Sequence, residues 1–538
     1  MPLFAPADLP AGPPEDGRDL ARAAERAAEA FNRSRMFLEG WLPYLDKATG
    51  LLPQRLGDNP PLWTPHNSAA DNFPFMLISA AFTSRDLFGP LLERSLVGEI
   101  SNTIQLHGLP GTYDLGGKRQ VDVGLDRLIF GASEYAKDGL VPMVEILGPG
   151  IWSRRMASLA EGVFAAAGHE TAWGMLPSND AEVNGEMLQV LCRLFWMTGR
   201  NEYLAWARRI GDAYCFEVLP GNHGVPAHVW DFAGHTGDGR LKLRDHGCEI
   251  ISGLSLLYAI EKELGSERAE KYFPPVDRML KRAVEIGVDS MGLFVNEVDA
   301  ATGEVTRGNI SDCWGYDYYA WVTMAMVTGD RSYLQPVRKA LDNIHHCKDY
   351  RWEPRGDGSQ SHDGIADAVE GALLLLSHLP VESAFDWVEH EAGRMFAMQR
   401  DDGTIEGWWG DGNFARTALM YALYKTRGCR LDPWREDLRI AARSGKEGLI
   451  VHLDSGRPWS GKLLFDPPRH SYWLGMRRDY PRINAFAEWS TFNPLELYHV
   501  AGQGLEDMTV TGQKLIDGIE IQLSGEGPLR LNVFPDGI

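Results

Sequence analysis

The sequence predicts a mainly α-helical protein, an (α/α) toroid or barrel of six to seven helical hairpins followed by a small C-terminal β-sandwich. Helix-forming residues with apolar positions at three- and four-residue spacing dominate from residue 18 to about residue 425. Polar loops run into these helices at similar intervals along that stretch. After residue 430 the pattern changes to short β-type runs.

The predicted elements follow in order. Residues 1–17 are rich in proline and glycine, and we expect them to be only partly ordered. The short loops between successive helices favour hairpins. Helices are predicted over 18–42, 75–88, 91–106, 131–147, 152–168, 182–197, 202–215, 248–264, 275–287, 318–327, 334–344, 365–379, 383–398 and 414–426.

Seven loop–helix junctions carry acidic, His, Asn and aromatic residues. Their successive separations of 51, 58, 66, 66, 51 and 48 residues leave room for two helices and their loops. Each unit is therefore predicted to be a helical hairpin, and a closed ring of hairpins would bring all junctions to one face. The junctions lie near Asp71, Asp122, Asp180, His246, Asp312, Asp363 and Asp411.

The β-type runs begin near residue 448 and are broken by Gly, Pro and Asp. They read L-I-V-H-L, K-L-L-F, L-E-L-Y-H-V, M-T-V-T, I-E-I-Q-L and L-R-L-N-V-F, as in a small β-sandwich. We therefore predict three parts: an N-terminal segment of residues 1–17, a catalytic (α/α) barrel of residues 18–435, and a β-rich domain of residues 436–538.

Composition excludes several classes of function. The formal net charge of −21 argues against a nucleic-acid partner, which clustered Lys and Arg would bind. No basic segment followed by an apolar run begins the chain, and no apolar stretch is long enough for a membrane span. We expect a cytoplasmic protein, although a removed signal would leave the same sequence, and the sequence leaves a homo-oligomer open.

Cofactor and metal motifs are absent from the sequence. There is no G-x-G-x-x-G fingerprint and no phosphate loop, so no cofactor is predicted. The run His345-His346-Cys347 lacks a second cluster, and the six cysteines are scattered without C-x-x-C, so no metal site is predicted and the thiols are expected to be reduced.

The junction residues allow a structural and a functional interpretation. Asp, Ser and Asn before a helix satisfy its free amide groups, and capping alone explains any single junction. Capping does not require the tryptophans that accompany several junctions, whereas sugar rings stack on Trp and Tyr and their hydroxyls bind Asp, Glu, Asn, His and Arg. An oligosaccharide or polysaccharide is therefore the expected substrate.

Four junctions supply the candidate catalytic groups. Asp180 and Glu182, followed by Asn184 and Glu186, begin one helix. Asp363, Asp367 and Glu370 share one helix face, which is either the funnel or a buried polar seam. The predicted catalytic residues are Asp180, Glu182, His246, Asp312, Tyr316 and Asp363, and the predicted substrate-binding residues are His66, Asn72, Arg127, Glu249, Arg307, Trp314, His362, Trp408, Trp409, Asp411 and Arg416.

Five segments carry a resemblance to a known group of enzymes. They are F-G-A-S-E-Y-A-K-D-G-L, L-P-S-N-D-A-E-V-N-G-E-M, N-I-S-D-C-W-G-Y-D-Y-Y-A-W, D-G-I-A-D-A-V-E-G-A and D-G-N-F-A-R-T-A-L-M-Y-A-L. They resemble (α/α)-barrel enzymes that act on uronic-acid saccharides, first the bacterial β-glucuronidase-like hydrolases and second the (α/α)-toroid polysaccharide lyases. The resemblance covers about residues 20–500 in architecture and transfers no individual residue role.

Three functions follow as hypotheses. The first is hydrolysis of a glycosidic bond at a uronic acid by two carboxyl groups, with Arg416, Arg307 or Arg127 binding the sugar carboxylate. The second is β-elimination in a uronic-acid polymer, with Tyr316 or His246 as the base. The third is a glycan-binding protein without catalytic activity.

Overall fold

The computed structural model describes residues 17–354, 358–445, 448–502 and 505–536. The predicted N-terminal segment thus lies outside the described residues except for Gly17. The α-helices are α1 (Gly17–Trp41), α2 (Phe73–Thr83), α3 (Arg85–Asn102), α4 (Leu125–Glu134), α5 (Val141–Leu147), α6 (Ile151–Ala165), α7 (Ala181–Thr198), α8 (Asn201–Ala213), α9 (Leu219–Gly221), α10 (Glu249–Glu263), α11 (Glu267–Gly287), α12 (Trp314–Thr328), α13 (Leu334–Asn343), α14 (His362–His378), α15 (Glu382–Phe396), α16 (Asp411–Thr426), α17 (Arg469–Tyr472) and α18 (Gly512–Asp517). Segments of π-helix lie at Pro65–Asn72, Tyr135–Leu140 and Tyr214–Val218, and 3-10 turns at Leu42–Tyr44, Leu106–Gly108, Asp245–Cys248, Arg331–Tyr333 and Ile344–Cys347.

The helices form two concentric layers. In the inner layer α2, α4 with α5, α7, α10, α12, α14 and α16 contact one another in that order, and α16 returns to α2. Each inner helix packs against the outer helix that follows it, and α1 completes the outer layer by packing on α16 and α2. The predicted hairpin ring is therefore present in the structure.

Burial explains why the two layers differ in sequence. Inner helices such as α14 contact neighbours on all sides, and the run Ala372–Leu376 in that helix is buried throughout. Outer helices such as α13 bury only one face, with Val337, Ala340 and Leu341 inward. A helix that is apolar all round must be covered on every side, whereas an amphipathic helix can face water.

The C-terminal region consists of two antiparallel sheets. The five-stranded sheet has the order β12-β13-β18-β15-β16 and the three-stranded sheet the order β11-β14-β17. Each of the predicted β-type runs contains a strand, and burial alternates along Ile519–Leu523 as expected for a strand with one covered face. The strands of these sheets are β11 (Arg430–Asp432), β12 (Leu438–Ser444), β13 (Leu449–Ser455), β14 (Trp459–Leu464), β15 (Leu497–Gly502), β16 (Leu505–Thr511), β17 (Ile519–Leu523) and β18 (Leu529–Pro535).

Short strands decorate the loops that lead into the inner helices. They pair as β1-β2-β3, β4-β5, β6-β7 and β10-β9-β8. Their bounds are β1 (Leu62–Trp63), β2 (Tyr113–Asp114), β3 (Arg119–Gln120), β4 (His169–Thr171), β5 (Gly174–Leu176), β6 (Trp230–Asp231), β7 (Thr236–Gly237), β8 (Arg240–Lys242), β9 (Val295–Asp299) and β10 (Val305–Ile310).

Several predicted helix boundaries are wrong: the helix predicted from residue 131 begins at Leu125, and two further errors involve proline. The sequence places a break between residues 88 and 91, but the chain breaks at Ser84 and α3 continues through Pro90. The sequence begins a helix at Pro275, but α11 begins at Glu267 and includes both Pro274 and Pro275. Proline removes an amide donor from a helix, and burial of the apolar face of α11 outweighs that loss.

The cysteine side chains that the structure describes lie in the core of the protein. Five cysteines are described as buried free thiols, at positions 192, 215, 313, 347 and 429. Within the described ranges, every helix is too short or too polar to cross a lipid bilayer.

Candidate active site

Polar residues from several inner helices meet where those helices begin. Asp71 lies close enough to Asp138, His246 and Arg416 for their charges to act on it. Burial, and next the carboxylate of Asp138, raise the pKa of Asp71 to about 7, against the opposing charges of His246 and Arg416. Residues far apart in the chain therefore share one electrostatic environment at this end of the ring.

Two π-helical segments lie side by side at the same place. Pro65–Asn72 precedes α2 and carries Asp71, and Tyr135–Leu140 separates α4 from α5 and carries Asp138. A π-turn inserts one residue into a helix and is often found at functional sites because it redirects side chains. Here Asp138 lies 3.6 Å from His246 just before α10, and Asp71 lies near enough to Arg416 on α16 for the two charges to interact.

An acidic face of α14 forms one wall of the site. Tyr316 on α12 donates hydrogen bonds from its hydroxyl to Glu370 Oε2 at 2.9 Å and to Asp367 Oδ1 at 3.3 Å. Arg416 on α16 pairs with both carboxylates, through Nε to Glu370 Oε2 at 2.5 Å and through Nη2 to Asp367. The predicted shared face of Asp363, Asp367 and Glu370 is thus a polar wall inside the ring.

Burial and mutual repulsion raise the pKa values of several of these acids. Burial, followed by the charge of Asp367, raises the pKa of Asp312 to about 7. The same two causes raise the pKa of Asp363 well above its usual range. Burial also raises the pKa of Glu370 to about 7, against the attraction of Arg416. Carboxylic acids that hold a proton at pH 7 can serve as general acids.

A second cluster surrounds the buried ammonium group of Lys137. Its Nζ lies 2.6 Å from Asp138 Oδ1 and 3.5 Å from His246 Nδ1, and it also pairs with Glu249. Asn484, from the segment between β14 and β15, donates its Nδ2 to Asp138 Oδ1 at 2.6 Å and to the Lys137 carbonyl at 3.3 Å. The C-terminal region therefore contributes a side chain to the centre of the helical ring.

Four side chains of this cluster could hold a metal ion. Glu134, Asp138, Glu186 and His246 each offer one ligand atom, and these atoms lie within 4.8 Å of one another.

His66 and Arg127 form one edge of the site. Arg127 is exposed, its Nη2 lies 2.7 Å from His66 Nε2, and its guanidinium stands 4.7 Å from the ring centroid of Phe130. Burial and the positive charge of Arg127 lower the pKa of His66 to about 3, so its imidazole is neutral. Arg127 is thus an accessible cation that an anionic ligand can reach.

Two tryptophans lie in the loop before α16. Trp408 and Trp409 are half-buried, with ring centroids 4.7 Å apart in an edge-to-face arrangement. Trp408 Nε1 donates to Glu406 Oε2 at 2.5 Å, and the guanidinium of Arg55 stands 5.6 Å from the Trp409 ring centroid. Partly exposed indole faces held in this way can stack on a sugar ring.

Several predicted binding residues are buried instead. Trp314 is 0 % exposed and packs its ring edge-to-face with Trp387 of the outer layer. His362 is also fully buried, and its Nε2 lies 2.9 Å from the Gly410 carbonyl. Trp314 thus packs towards the outer layer, whereas the His362 imidazole contacts the loop before α16, where its ring meets that of Trp408.

Asp411 and Asn72, also predicted to bind substrate, are buried as well. The buried carboxylate of Asp411 accepts hydrogen bonds from the amides of Ile405, Glu406 and Gly407 and from the Trp41 indole, so it fixes a turn. Asn72 is 0 % exposed.

Other residues that were predicted to act in the site interact with neighbouring side chains or backbone groups of the protein. Asp180 accepts the Glu182 amide at 2.8 Å as the N-cap of α7, and Glu182 pairs with Lys242 at 3.4 Å. Arg416 is buried with its two carboxylate partners, so it is not available to a sugar carboxylate. Arg307 lies on an exposed strand and acts electrostatically on Asp245, beside His246.

Four residues of the site were not predicted from the sequence, namely Glu134, Lys137, Asp138 and Asn484. Charged residues inside an otherwise apolar helix are a signal that could have identified the first three, because an inner helix buries them. Asn484 lies 346 residues from Asp138 in the chain, and no local pattern marks it.

Comparisons with known proteins give structural neighbours only. No protein-family model and no curated protein sequence matches the chain. An inactive variant of an α-1,6-mannanase from Salegentibacter sp. HEL1_6, in complex with α-1,6-mannotetrose, is 13 % identical with a TM-score of 0.42, over 73 % of this chain and 98 % of that chain. The unsaturated glucuronyl hydrolase of Bacillus sp. GL1 is 12 % identical with a TM-score of 0.39, over 74 % of this chain and 96 % of that chain. A D-mannose isomerase is 13 % identical with a TM-score of 0.42, over 64 % and 89 %. Similarity this low assigns neither an activity nor a residue role.

Proposed function

We propose that the protein is a glycoside hydrolase that cleaves a glycosidic bond at a uronic acid, as in a glucuronide, or at a related acidic sugar. The observation that carries this proposal is the pair Asp312 and Asp367. The pKa of Asp312 is raised to about 7 by burial and by Asp367, whereas the carboxylate of Asp367 pairs with the guanidinium of Arg416. A carboxyl group with a raised pKa, near a carboxylate that pairs with a guanidinium, matches the acid and the base or nucleophile that glycoside hydrolysis uses.

In the proposed reaction Asp312 donates its proton to the glycosidic oxygen as the bond to the anomeric carbon breaks. Asp367 acts on the anomeric carbon, either by activating a water molecule or by direct attack. Water supplies the hydroxyl group of the new hemiacetal and returns a proton to the enzyme. The Tyr316 hydroxyl holds Asp367 through a hydrogen bond of 3.3 Å and Glu370 through one of 2.9 Å, and Glu370 in turn pairs with Arg416.

The acidic sugar would be bound at the edge of the ring. Arg127 and Arg307 are both exposed, and a guanidinium group binds a carboxylate through two parallel hydrogen bonds. The indole faces of Trp408 and Trp409 supply apolar surface for the sugar ring.

The order of helix contacts supports seven hairpins within the predicted range of six to seven.

Elimination is less well supported than hydrolysis. Tyr316 was one expected base, but burial and the neighbouring carboxylates of Asp367 and Glu370 raise the pKa of its hydroxyl well above the usual range. The hydroxyl therefore stays protonated and donates hydrogen bonds to those carboxylates, so it is not available as a base. His246, the other expected base, is engaged by the carboxylates around Lys137.

The test is a panel of uronic-acid oligosaccharides, followed both by new reducing ends and by the ultraviolet absorbance of an unsaturated uronate. Hydrolysis gives new ends without that absorbance, elimination gives both signals, and a glycan-binding protein gives neither. Asp312→Asn should lower turnover by about 10²- to 10⁴-fold, the usual contribution of a general acid. The matched control is Asp122→Asn, an exposed junction carboxyl that accepts the Gly124 amide at 3.2 Å. Elimination products, or wild-type turnover in Asp312→Asn, would overturn the proposal.

A further inference from the structure

We infer that Glu134, Asp138, Glu186 and His246 form a binding site for one divalent transition-metal ion, of the Mn²⁺ or Zn²⁺ type. These four residues are called the His246 cluster below. They come from α4, the π-helical segment Tyr135–Leu140, α7 and the 3-10 turn before α10. Their ligand atoms lie within 4.8 Å of one another.

The spacing suits an ion with only small side-chain adjustments. Nitrogen and oxygen ligands stand about 2.0–2.2 Å from Zn²⁺, so two ligands on opposite sides of the ion are roughly 4.4 Å apart. His246 Nδ1 lies 3.6 Å from Asp138 Oδ2 and 4.0 Å from Glu186 Oε1, which is the separation of neighbouring ligands. Three carboxylates and one imidazole favour Mn²⁺, Fe²⁺ or Zn²⁺ over the softer metals.

Glu186 provides the second, independent observation. Its side chain is 0 % exposed, and among the described residues neither of its carboxyl oxygens has a hydrogen-bond partner. A buried carboxyl group without a partner is costly, and native proteins rarely leave one in that state. Because one of its oxygens faces His246 and the other acids, a cation at the centre of the His246 cluster would satisfy it.

The excess of acidic groups in this region also favours a bound cation. Four carboxyl groups, those of Glu134, Asp138, Glu186 and Glu249, lie in or beside the His246 cluster, and the ammonium of Lys137 pairs with two of them, Asp138 and Glu249. If all four are ionised, one ammonium leaves three negative charges in excess, which a buried site does not sustain. A divalent ion bound by a neutral imidazole reduces that excess without protonating the ligands.

The surrounding contacts orient the ligands and leave a path for the ion. Lys137 and Asn484 both occupy Oδ1 of Asp138, so Oδ2 is the oxygen that faces His246. Partners of this kind fix ligand geometry at metal sites. The side chain of His246 is 34 % exposed, so an ion can enter from the open end of the ring.

A second acid–histidine group in the chain serves as a matched control. His470, Asp479 and Glu488 also have ligand atoms within 4.8 Å of one another. In that group the polar atoms already have partners, with His470 Nδ1 at 2.8 Å from Glu488 Oε2 and Arg482 Nη1 at 2.9 Å from Asp479 Oδ1. We therefore assign no ion to it.

The experiment uses the full chain without saccharide, so its result is readable whether or not the protein proves to be a hydrolase. The protein is stripped with a chelator, loaded with Mn²⁺ or Zn²⁺ alone and desalted. Bound metal is counted by mass spectrometry, and Mn²⁺ affinity is measured by electron paramagnetic resonance. We expect one equivalent in the wild type and in Glu488→Gln. Glu186→Gln and His246→Ala should weaken binding by about tenfold or more.

Thermal unfolding distinguishes a variant that has lost a metal ligand from one that is misfolded. Stripped Glu186→Gln should have a Tm no lower than the stripped wild type, because the substitution removes a buried charge without a partner. Added metal should raise the Tm of the wild type and leave that of Glu186→Gln unchanged, since only an ion bound to the folded state stabilises it. No stoichiometric metal in the wild type, full binding in both cluster variants, or loss in Glu488→Gln would overturn the inference.

Discussion

Asn484 donates a hydrogen bond of 2.6 Å to Asp138, and this contact joins the C-terminal region to the centre of the helical ring. Asn484 is buried and lies at a positive φ of 62°, a backbone conformation that Asn tolerates better than most residues. The contact fixes one oxygen of Asp138 and leaves the other facing His246.

Asn484→Ala should therefore lower the free energy of unfolding by about 1–3 kcal/mol, because it leaves buried acceptors without a donor. Denaturant unfolding measures the effect. The exposed Asn493, which donates to Glu496 at 3.0 Å, is the control, and Asn493→Ala should stay within about 0.5 kcal/mol of the wild type. Equal effects of the two substitutions would contradict this account of Asn484.

A buried ion network ties the same two regions together. Glu145 Oε1 accepts Arg193 Nε and Arg482 Nε, both at 2.9 Å. Glu145→Gln should cost about 3–5 kcal/mol, because removing one partner leaves buried charges uncompensated. Glu202 pairs with Arg200 at the surface, and Glu202→Gln should cost at most about 1 kcal/mol.

The effect of Glu145→Gln should also depend on pH. Burial favours the neutral acid, but Arg482 and Arg193 together hold the pKa of Glu145 down to about 2, below its ordinary value of 4.5. A lowered folded-state pKa contributes stability above the unfolded value, and that contribution is lost as the pH falls towards 2. The stability difference between wild type and variant should thus shrink between about pH 5 and pH 3. A difference that is constant over this range would show that the Glu145 charge does not stabilise the fold.

The dependence of kcat/KM on pH should reflect the protonation of Asp312. Burial and Asp367 raise the pKa of Asp312 to about 7, and the proposed mechanism needs its protonated form. The ratio kcat/KM should therefore fall as the pH rises through about 7. Asp71 has a pKa of similar size, so the profile of Asp71→Asn identifies which carboxyl group is responsible. If the residual activity of Asp312→Asn still falls as the pH rises through about 7, Asp312 is not the group responsible for that fall.

Two tryptophans should respond to truncation in opposite ways. Trp314 is fully buried, and Trp314→Ala should cost about 3–5 kcal/mol of stability. Trp409 is half-buried, and Trp409→Ala should leave stability nearly unchanged while raising KM up to about tenfold through lost stacking. Thermal unfolding and steady-state kinetics on both variants separate the roles, and a raised KM without lost stability in Trp314→Ala would reverse the assignment.

Gly412 sets the approach of α16 to the π-helical segment that carries Asp71. A Cβ atom at this position would lie 1.9 Å from the Asp71 carbonyl oxygen, a distance that side chains do not adopt. Gly412→Ala should therefore displace that segment, cost about 1–3 kcal/mol and reduce turnover. Gly393 on α15 has no atom within 4 Å of such a Cβ, and Gly393→Ala should stabilise the protein slightly. Turnover of Gly412→Ala at the wild-type level would show that the placement of Asp71 does not matter.

Local patterns in the sequence were sufficient to predict the secondary structure and the ring. Apolar spacing predicted the helices, recurring polar loops predicted the hairpins, and the change of period after residue 430 predicted the strands, because each depends on neighbours within a few residues. Asp312, Tyr316 and Asp363 were predicted as site residues at the starts of inner helices. In the structure Asp367 accepts a hydrogen bond from Tyr316, and its charge raises the pKa values of Asp312 and Asp363.

Only the tertiary structure decided which of those residues face the interior of the ring. Trp314 and Tyr316 are two residues apart, which on an α-helix turns their side chains to different sides. Trp314 packs on the outer layer, and Tyr316 meets the carboxylates of α14. The sequence determines the angle between two side chains but not the rotation of the helix in the ring, which long-range packing sets. The same packing brings Asn484 across 346 residues to Asp138, a distance over which no local pattern can predict contact.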